Sequence, residues 1–371
     1  MPQQNVANPA ENECQHANPV RVLVVDDSAL MRKHLSAMLS SSPRIDVCGI
    51  ARDGAEAISQ IRALSPDVIT LDIEMPGKSG LEILPEIFKV QNARVIVVSS
   101  FTQRGAQITL DALELGAIDY VGKPSSPIAA HVQQVRDELV EKVLAASRAT
   151  FPRPRRSVVP PRGELCRKAS NGPGMCTAPA EALKSGCVAI GISTGGPPAL
   201  TQVLAGLNPP VPPIVIVQHM PREFTGPFAR RLDSLCAIEV REAQTGDELL
   251  PNRALIAPGG RHVTLRKELG RVRVLLNDGE AVSGHKPSVD VLFRSAADIY
   301  GEKLIGVIMT GMGRDGADGC KEILAQGGRT FGQDEATSVV YGMNKIAFQE
   351  GGVQRQFPLE SLAGILMRAT F

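Results

Sequence analysis

Several classes of protein are excluded by what this 371-residue sequence lacks. Its seven cysteines form no CxxC pair and no Cys/His metal spacing, so we expect reduced thiols and no zinc module. The formal charge of +1 provides no overall field that would attract nucleic acid or a membrane surface. No apolar stretch approaches bilayer-spanning length, and the polar start of the chain lacks the basic and apolar regions of a signal peptide. We therefore expect a cytoplasmic protein with no nucleic-acid partner and no membrane insertion.

Length and composition predict two folded domains. The chain is longer than one ordinary domain, and its 43% hydrophobic residues can fill real cores. In the first part, helix-like windows separate strand-like runs at residues 20–25, 45–50, 67–71, 94–98 and 117–121. Ser28 is the expected N-cap of the first helix. Strands that alternate with helices predict a doubly wound, parallel α/β sheet.

The alternation stops near residue 148 and resumes near residue 187. The intervening segment is rich in Pro and Arg, which predicts a linker. Strand-like runs then recur at 187–192, 214–218, 237–241, 254–257, 272–276, 304–309 and 329–331, and helical windows at 197–206, 224–235, 288–300, 315–326 and 358–369. This pattern predicts a second, mainly parallel α/β domain, and the short runs within 237–276 leave room for an antiparallel section.

Polar residues follow the strand-like runs of the first domain where a shared pocket is expected. Asp26 and Asp27 follow the first run, Asp72 ends the third, Ser99 follows the fourth, and Lys123 follows the fifth. Ligands of open parallel sheets bind at the carboxyl ends of strands. Three carboxylates suit Mg²⁺, while a lysine and a hydroxyl suit a phosphoryl group. The pattern therefore predicts transfer of phosphate onto a carboxylate.

These residues also carry a resemblance to a known family. Val24-Val-Asp-Asp-Ser28, Leu71-Asp-Ile-Glu-Met-Pro76, Ser99 and Tyr120 to Pro124 resemble a two-component receiver domain, over about residues 19–140. The resemblance implies a flavodoxin-like fold with Asp72 as the phosphoacceptor. It also implies Mg²⁺ bound by Asp26, Asp27, Asp72 and the backbone carbonyl of Glu74. Ser99, Tyr120 and Lys123 would relay the switch.

A second set of polar residues marks the second domain. Ser193 lies in Gly191-Ile-Ser-Thr-Gly-Gly196, between a strand and a helix, which fits either an exposed nucleophile or a nucleotide-binding turn. Three histidines, His219, His262 and His285, are available as bases, but only His219 directly ends a strand-like run. Asp315 is the first acid after the run 304–309. These strand ends predict a Ser193–His219–Asp315 triad; the alternative for Asp315 is an N-cap of the following helix.

The second domain also resembles a known family. The stretches Gly191–Pro197, Gln218–Pro221, Ala257–Gly260, His285–Asp290 and Thr310–Gly316 resemble the catalytic domain of the chemotaxis protein-glutamate methylesterases, the CheB family. The resemblance implies hydrolysis of glutamate methyl esters, and deamidation of certain glutamines, on chemoreceptor helices. The backbone N–H of Met312 would contribute to an oxyanion hole, and no cofactor is expected for this step. A histidine kinase of the CheA type would supply the phosphate, and the receiver would restrain the esterase.

Three other functions are compatible with parts of the sequence: a DNA-binding output, a nucleotide-binding signalling module and a non-enzymatic adaptor. The DNA-binding alternative needs a basic recognition helix, which the second half does not present. The expected organisation is a disordered tail over 1–18, a receiver over 19–140, a linker over 141–185 and a Rossmann-like α/β esterase domain over 186–371.

Overall fold

The computed structural model describes residues 18–100, 102–123, 129–149, 185–369 and 371. The predicted tail, up to residue 17, and residues 150–184 of the predicted linker lie outside this part of the chain. The described residues form two α/β domains, each built on a parallel sheet. The predicted fold class is thereby confirmed.

The first domain has a five-stranded parallel sheet in the order β2-β1-β3-β4-β5. Its strands are β1 (Val20–Val25), β2 (Ile45–Ala51), β3 (Val68–Asp72), β4 (Arg94–Ser99) and β5 (Asp119–Gly122). Its helices are α1 (Ala29–Leu39), α2 (Gly54–Leu64), α3 (Gly80–Val90), α4 (Gln103–Glu114) and α5 (Ala129–Ser147). Side chains alternate across the sheet, so that Leu23 and Val25 fill one apolar layer while Val22 and Val24 fill the other.

Local sequence signals place the helices of this domain. Ser28 caps α1 as predicted, since its hydroxyl accepts a hydrogen bond from the Met31 N–H. Helix α5 continues to Ser147, beyond the predicted domain limit at residue 140. Leu139, Val143 and Ala146 recur at helical spacing and are buried in one apolar layer, which explains the extension.

The second domain has a seven-stranded parallel sheet in the order β14-β13-β12-β6-β7-β9-β8. Its strands are β6 (Cys187–Ile192), β7 (Ile214–Gln218), β8 (Glu239–Glu242), β9 (Arg253–Ile256), β12 (Leu304–Ile308), β13 (Arg329–Gln333) and β14 (Arg355–Phe357). Its α-helices are α6 (Gly196–Ala205), α7 (Arg222–Leu235), α8 (Val289–Tyr300), α9 (Ala317–Ala325), α10 (Met343–Gln349) and α11 (Leu362–Met367). The neighbours β12, β6 and β7 bring three strand ends to one edge.

The antiparallel section is smaller than the sequence allowed. Among the described strands, β10 (His262–Glu268) and β11 (Arg271–Asn277) form the antiparallel pair, through a turn whose residues Leu269 and Gly270 both have positive φ. Isolated antiparallel bridges also join Glu248 to Arg273 and Val282 to His285. Strands β8 and β9 instead join the main sheet in parallel, because residues 243–252 carry the chain back between them. Helix α10 and strand β14 were not predicted; β14 is only three residues long and has little sequence signal.

The two domains pack against each other. The ring of Tyr120 in β5 stacks on that of Phe224 in α7, with 4.6 Å between centroids. Arg231 of α7 forms ion pairs with Asp111 and Glu114 of α4. Among the described helices, none is both long and apolar enough to cross a bilayer.

Candidate active site and phosphorylation site

Ser193 and His219 follow adjacent positions of paired strands. Ile192 of β6 is in register with Gln218 of β7, so the next residues of the two strands are Ser193 and His219. The His219 N–H donates to the Ile192 carbonyl at 3.1 Å, and the Ser193 N–H donates to the Thr310 carbonyl after β12 at 3.0 Å. Three strands thus position the nucleophile turn at the carboxyl edge of the sheet.

The turn after Ser193 is fixed by its own backbone and by one neighbouring side chain. The Ser193 carbonyl accepts hydrogen bonds from the Gly196 N–H at 2.8 Å and from Gln218 Nε2 at 3.0 Å. A Cβ atom at Gly311 would lie only 2.7 Å from the Ser193 Cβ atom. Glycine at this position therefore allows the loop after β12 to approach the nucleophile.

The structure brings His219 and Asp315 together. His219 Nε2 lies 2.8 Å from Asp315 Oδ2. Because a carboxylate accepts, this contact places the imidazole proton on Nε2 and leaves the lone pair on Nδ1. His219 Nδ1 is buried and has no hydrogen-bond partner within the described part of the chain. The free lone pair therefore belongs to the residue that follows β7, beside the position at which Ser193 follows β6.

Asp315 is anchored by helix α8. Its carboxylate accepts from Ser288 Oγ at 2.7 Å, from the Val289 N–H at 2.7 Å and from the Asp290 N–H at 3.1 Å. The alternative prediction, that Asp315 is the N-cap of the helix that follows it, is wrong, because Gly316 is the N-cap of that helix. The Asp315 carboxylate instead caps the N-terminus of α8. Burial alone would raise the pKa of Asp315, but the hydrogen bonds from His219, Ser288 and the backbone lower it.

The other two histidines have different surroundings. His262 is buried, accepts from the Ser288 N–H at Nδ1 and contacts the Glu280 carbonyl at Nε2, so both of its ring nitrogens are engaged. The ring of His285 stacks on that of His219, with 3.8 Å between centroids and 8° between planes. Burial and then the neighbouring His219 lower the pKa of His285 to about 4. His285 is therefore a neutral ring that packs the base in place.

The glycine-rich turn is poorly suited to a phosphate. Helix α6 begins at Gly196, and the next two residues are Pro197 and Pro198. Helix N-termini bind phosphate through free backbone N–H groups, and proline has none. Two of the first three helical donors are thus missing, which disfavours the nucleotide-binding alternative.

The first domain gathers its predicted acids at one edge. Asp26, Asp27 and Asp72 offer one oxygen each within 4.8 Å of one another. Lys123 Nζ lies 2.7 Å from Asp72 Oδ2 and 3.3 Å from Asp26 Oδ2. The Glu74 N–H donates to Asp72 Oδ1 at 3.0 Å, so the Glu74 backbone lies beside the same carboxylate.

The charge balance of this pocket fits a divalent cation. Burial and the nearby Asp72 carboxylate raise the pKa of Asp26, and Lys123 only partly opposes them. Apart from the ion pair with Lys123, Asp26 Oδ2 is buried without a hydrogen bond from the described residues. An ion with a preference for oxygen ligands would balance the excess negative charge, so the residues present fit Mg²⁺.

The side chains of Ser99 and Tyr120 have partners other than Asp72 in this structure. Ser99 Oγ accepts from Thr109 Oγ1 of α4 at 2.8 Å, inside the protein. Tyr120 is only 4% exposed and faces Phe224 of the second domain. The residues predicted to relay the switch therefore contact α4 and α7, respectively.

Two polar residues near the active site were missed from the sequence. Ser288 supports Asp315 directly, and its position before the helical window 288–300 was the available signal. Thr194 donates its hydroxyl to Asp119 of β5 at 2.5 Å. No sequence pattern could have indicated that contact, because 75 residues separate the two.

Comparisons with known proteins show which family the chain is related to. Residues 188–366 match the family model described as CheB methylesterase, and residues 22–133 match the response regulator receiver domain. A relative from Koribacter versatilis, named protein-glutamate methylesterase/protein-glutamine glutaminase 2, is 47% identical over 94% of this chain and 96% of its own. The chain belongs to the CheB family. The predicted resemblances of both domains are thereby confirmed.

Two further proteins illustrate the similarity. A protein-glutamate methylesterase/protein-glutamine glutaminase 1 from Caulobacter vibrioides is 47% identical over 92% of this chain and 96% of its own. A crystal structure of the CheB methylesterase catalytic domain from Thermotoga maritima is 39% identical, with a TM-score of 0.48; it covers 49% of this chain and 97% of its own.

The close approach at Gly311 can be tested by Gly311→Ala. The added methyl would contact Ser193 Cβ and the Met343 sulfur, which lies 2.6 Å from the Cβ position. We expect a loss of about 1–3 kcal/mol in the free energy of unfolding, typical of overpacking, together with at least a tenfold loss of esterase activity. Gly226→Ala, whose nearest neighbour would be 3.4 Å away, is the matched control. Wild-type activity in Gly311→Ala would contradict the tight contact.

The lowered pKa of His285 predicts acid sensitivity. Below the ordinary histidine pKa of about 6.5, the unfolded chain takes up a proton that the folded chain resists down to about 4. His285 therefore contributes stability above about pH 6.5 that is lost as the pH falls toward 4. The melting temperature should decline less steeply over this range in His285→Gln than in the wild type, and His34→Gln is the surface control. Equal slopes would contradict the half-buried, uncharged ring.

Proposed function

We propose that this chain is a phosphorylation-activated serine hydrolase. It demethylates glutamate methyl esters on chemoreceptor helices, with release of methanol, and deamidates specific glutamines. The observation that carries the proposal is the contact of 2.8 Å between His219 and Asp315. This contact leaves Nδ1 of the His219 ring without a partner among the described residues, on the strand next to the one that ends before Ser193. The identity of the curated relatives supports the same reaction class.

The first step of this mechanism is proton transfer. His219 Nδ1 takes the Ser193 proton as the hydroxyl attacks the ester carbonyl. The imidazolium that forms is stabilised by Asp315, whose own hydrogen bonds keep it ionised. The same proton then leaves with methanol, and water repeats the sequence on the acyl-enzyme. No cofactor takes part in these steps of the proposal.

The oxyanion of the tetrahedral intermediate requires donors beside Ser193. The Met312 N–H donates to no backbone carbonyl among the described residues, and Met312 follows Gly311, the residue in close contact with Ser193. Its N–H is the proposed oxyanion donor. One such donor is typically worth about 3 kcal/mol of transition-state stabilisation.

The receiver supplies the switch. Asp72 is the proposed phosphoacceptor. Asp26, Asp27, Asp72 and the Glu74 carbonyl would hold Mg²⁺, which would supply positive charge for the phosphoryl oxygens. Lys123 pairs with Asp72 in this structure and would pair with the acyl phosphate instead. The phosphodonor is a histidine kinase of the CheA type, and the other partner is the methylated chemoreceptor.

Contacts between the two domains explain how the receiver could restrain the esterase. Tyr120 stacks on Phe224, and Arg231 holds α4 through two carboxylates. Because Ser99 is hydrogen-bonded to Thr109, the same helix α4 is tied to the phosphorylation site. Phosphate can open this contact only by binding the open state more favourably. If the closed state is tenfold favoured, about 1.4 kcal/mol makes the two states equal.

The triad predicts a large and non-additive loss of activity. Ser193→Ala and His219→Ala should each reduce methanol release from methylated receptor membranes by roughly 10⁴-fold or more, and the double variant should be scarcely worse. Asp315→Asn tests the third member with less disturbance of α8 than alanine. Ser234→Ala, at an exposed serine, is the control. Near-normal activity of Ser193→Ala would exclude the serine mechanism, and a loss in His285→Ala as large as in His219→Ala would question the choice of base.

The switch predicts a single phosphorylated carboxylate. A small phosphodonor should label the wild type only with Mg²⁺ present and should raise methanol release. Asp72→Asn should abolish the label and the activation while basal activity remains, and Asp27→Ala should require more Mg²⁺ because one charged ligand is gone. Asp46→Asn, at an exposed acid, is the control. A label that survives in Asp72→Asn would identify another acceptor.

A further inference from the structure

Thr194, the residue after the nucleophile, is held by the receiver. Its side chain is 5% exposed, and its hydroxyl donates to Asp119 Oδ2 at 2.5 Å. Asp119 begins strand β5 of the receiver and is 7% exposed. A short, buried, charge-assisted hydrogen bond of this kind is among the stronger polar contacts in proteins. It joins the esterase turn to the regulatory domain.

The acceptor is fixed in place by its own partners. Asp119 Oδ1 accepts from the Tyr120 N–H at 2.8 Å and lies 3.4 Å from Lys142 Nζ of α5. Lys142 also pairs with Glu138 at 2.8 Å and donates to the Tyr120 carbonyl at 2.7 Å. Although burial opposes its charge, the Asp119 and Glu138 carboxylates raise the pKa of Lys142. Asp119 is therefore a preorganised, ionic acceptor.

Thr194 lies within the catalytic surface. Its carbonyl accepts from Thr310 Oγ1 at 3.0 Å, on the loop that leads to Met312. In serine hydrolases with a nucleophile on a strand-to-helix turn, the backbone N–H of the residue after the nucleophile contributes to the oxyanion hole, and the Thr194 hydroxyl belongs to that same residue.

We propose that the Thr194 hydroxyl is a substrate-binding donor for the carbonyl group of the ester, and that Asp119 withholds it while the receiver is docked. This rests on the esterase function proposed above. A hydroxyl has one proton to donate, so it cannot serve the carboxylate and the substrate together. The receiver then inhibits by competition for a hydrogen bond as well as by coverage of the site. Undocking removes the competitor and frees the donor in one step.

Two variants remove the same hydrogen bond, but the proposal predicts different effects for them. Asp119→Asn removes the ionic acceptor but keeps the Thr194 hydroxyl. It should raise the unphosphorylated rate of methanol release at least fivefold and leave kcat/KM with phosphodonor within twofold. Thr194→Val removes the hydroxyl at nearly constant volume. It should lower kcat/KM with phosphodonor at least tenfold, as expected for loss of one donor to developing charge. Thr194→Ser keeps a hydroxyl and should recover most of that loss.

Each result has a contrary outcome. If Thr194→Val behaves like Asp119→Asn, with a higher basal rate and an unchanged phosphorylated rate, the hydroxyl is only a latch and the substrate-binding role is wrong. If Asp119→Asn leaves the unphosphorylated rate unchanged, Asp119 does not withhold the hydroxyl. Thr194→Ala repeats the test should the valine fold poorly, and labelling of Asp72 reports an intact receiver in every variant.

A second measurement does not depend on activity. Amide hydrogen exchange of the peptide over residues 193–200 should increase in Asp119→Asn without phosphodonor, because the turn is released. If wild type and Ser193→Ala release methanol equally slowly with and without phosphodonor, the esterase function itself fails. Unchanged exchange in Asp119→Asn would instead overturn the docked contact alone.

Discussion

The buried carboxylate of Asp315 is the interaction on which the second domain depends. It is fully buried and accepts from one imidazole, one hydroxyl and two backbone N–H groups. A buried charge costs several kcal/mol unless its partners compensate, and here the start of α8 supplies most of them. The same group therefore caps a helix and orients His219. The fold and the active site share one electrostatic anchor, which is why the acid can stay ionised without exposure to water.

The acids of the receiver show the opposite balance. Asp26 and Asp72 are also fully buried, yet among the described side chains Lys123 is the cation that pairs with them. Burial, and after it the neighbouring Asp72 carboxylate, raise the pKa of Asp26. An incomplete charge balance suits a pocket that must accept a cation and a phosphoryl group, whereas the full set of hydrogen bonds at Asp315 suits a group that keeps its partners. Buried carboxylates thus have two uses in this chain. Those with few hydrogen-bond donors can accept a ligand, and the one with a full set of donors holds a catalytic side chain in place.

Much of this organisation could be predicted from the sequence. Apolar runs that end in Asp26, Asp72, Ser193 and His219 located strand ends, because parallel strands bring their carboxyl ends to one edge. What failed were features set by long-range packing. The cap that Asp315 forms on α8 depends on a helix that precedes it by more than a dozen residues in the chain, and periodicity does not report such contacts. The short strand β14 and the parallel pairing of β8 with β9 depend likewise on neighbours in the sheet.

Strand β5 connects the two functional sites over only four residues. Asp119 at its start contacts Thr194, Tyr120 stacks on Phe224, and Lys123 directly after it pairs with Asp72. At about 3.3 Å per residue, the ends of this segment are separated by roughly 13 Å. The Lys123 N–H also donates to the Ser99 carbonyl, so β4 and β5 are tied together at the phosphorylation edge. If a phosphoryl group on Asp72 becomes the partner of Lys123, the change occurs at one end of β5, and the other end of β5 contacts Thr194 in the esterase turn. Proximity alone does not make a switch; the two states must differ in free energy, and a charge added at Asp72 changes the partner of the lysine that ends this strand.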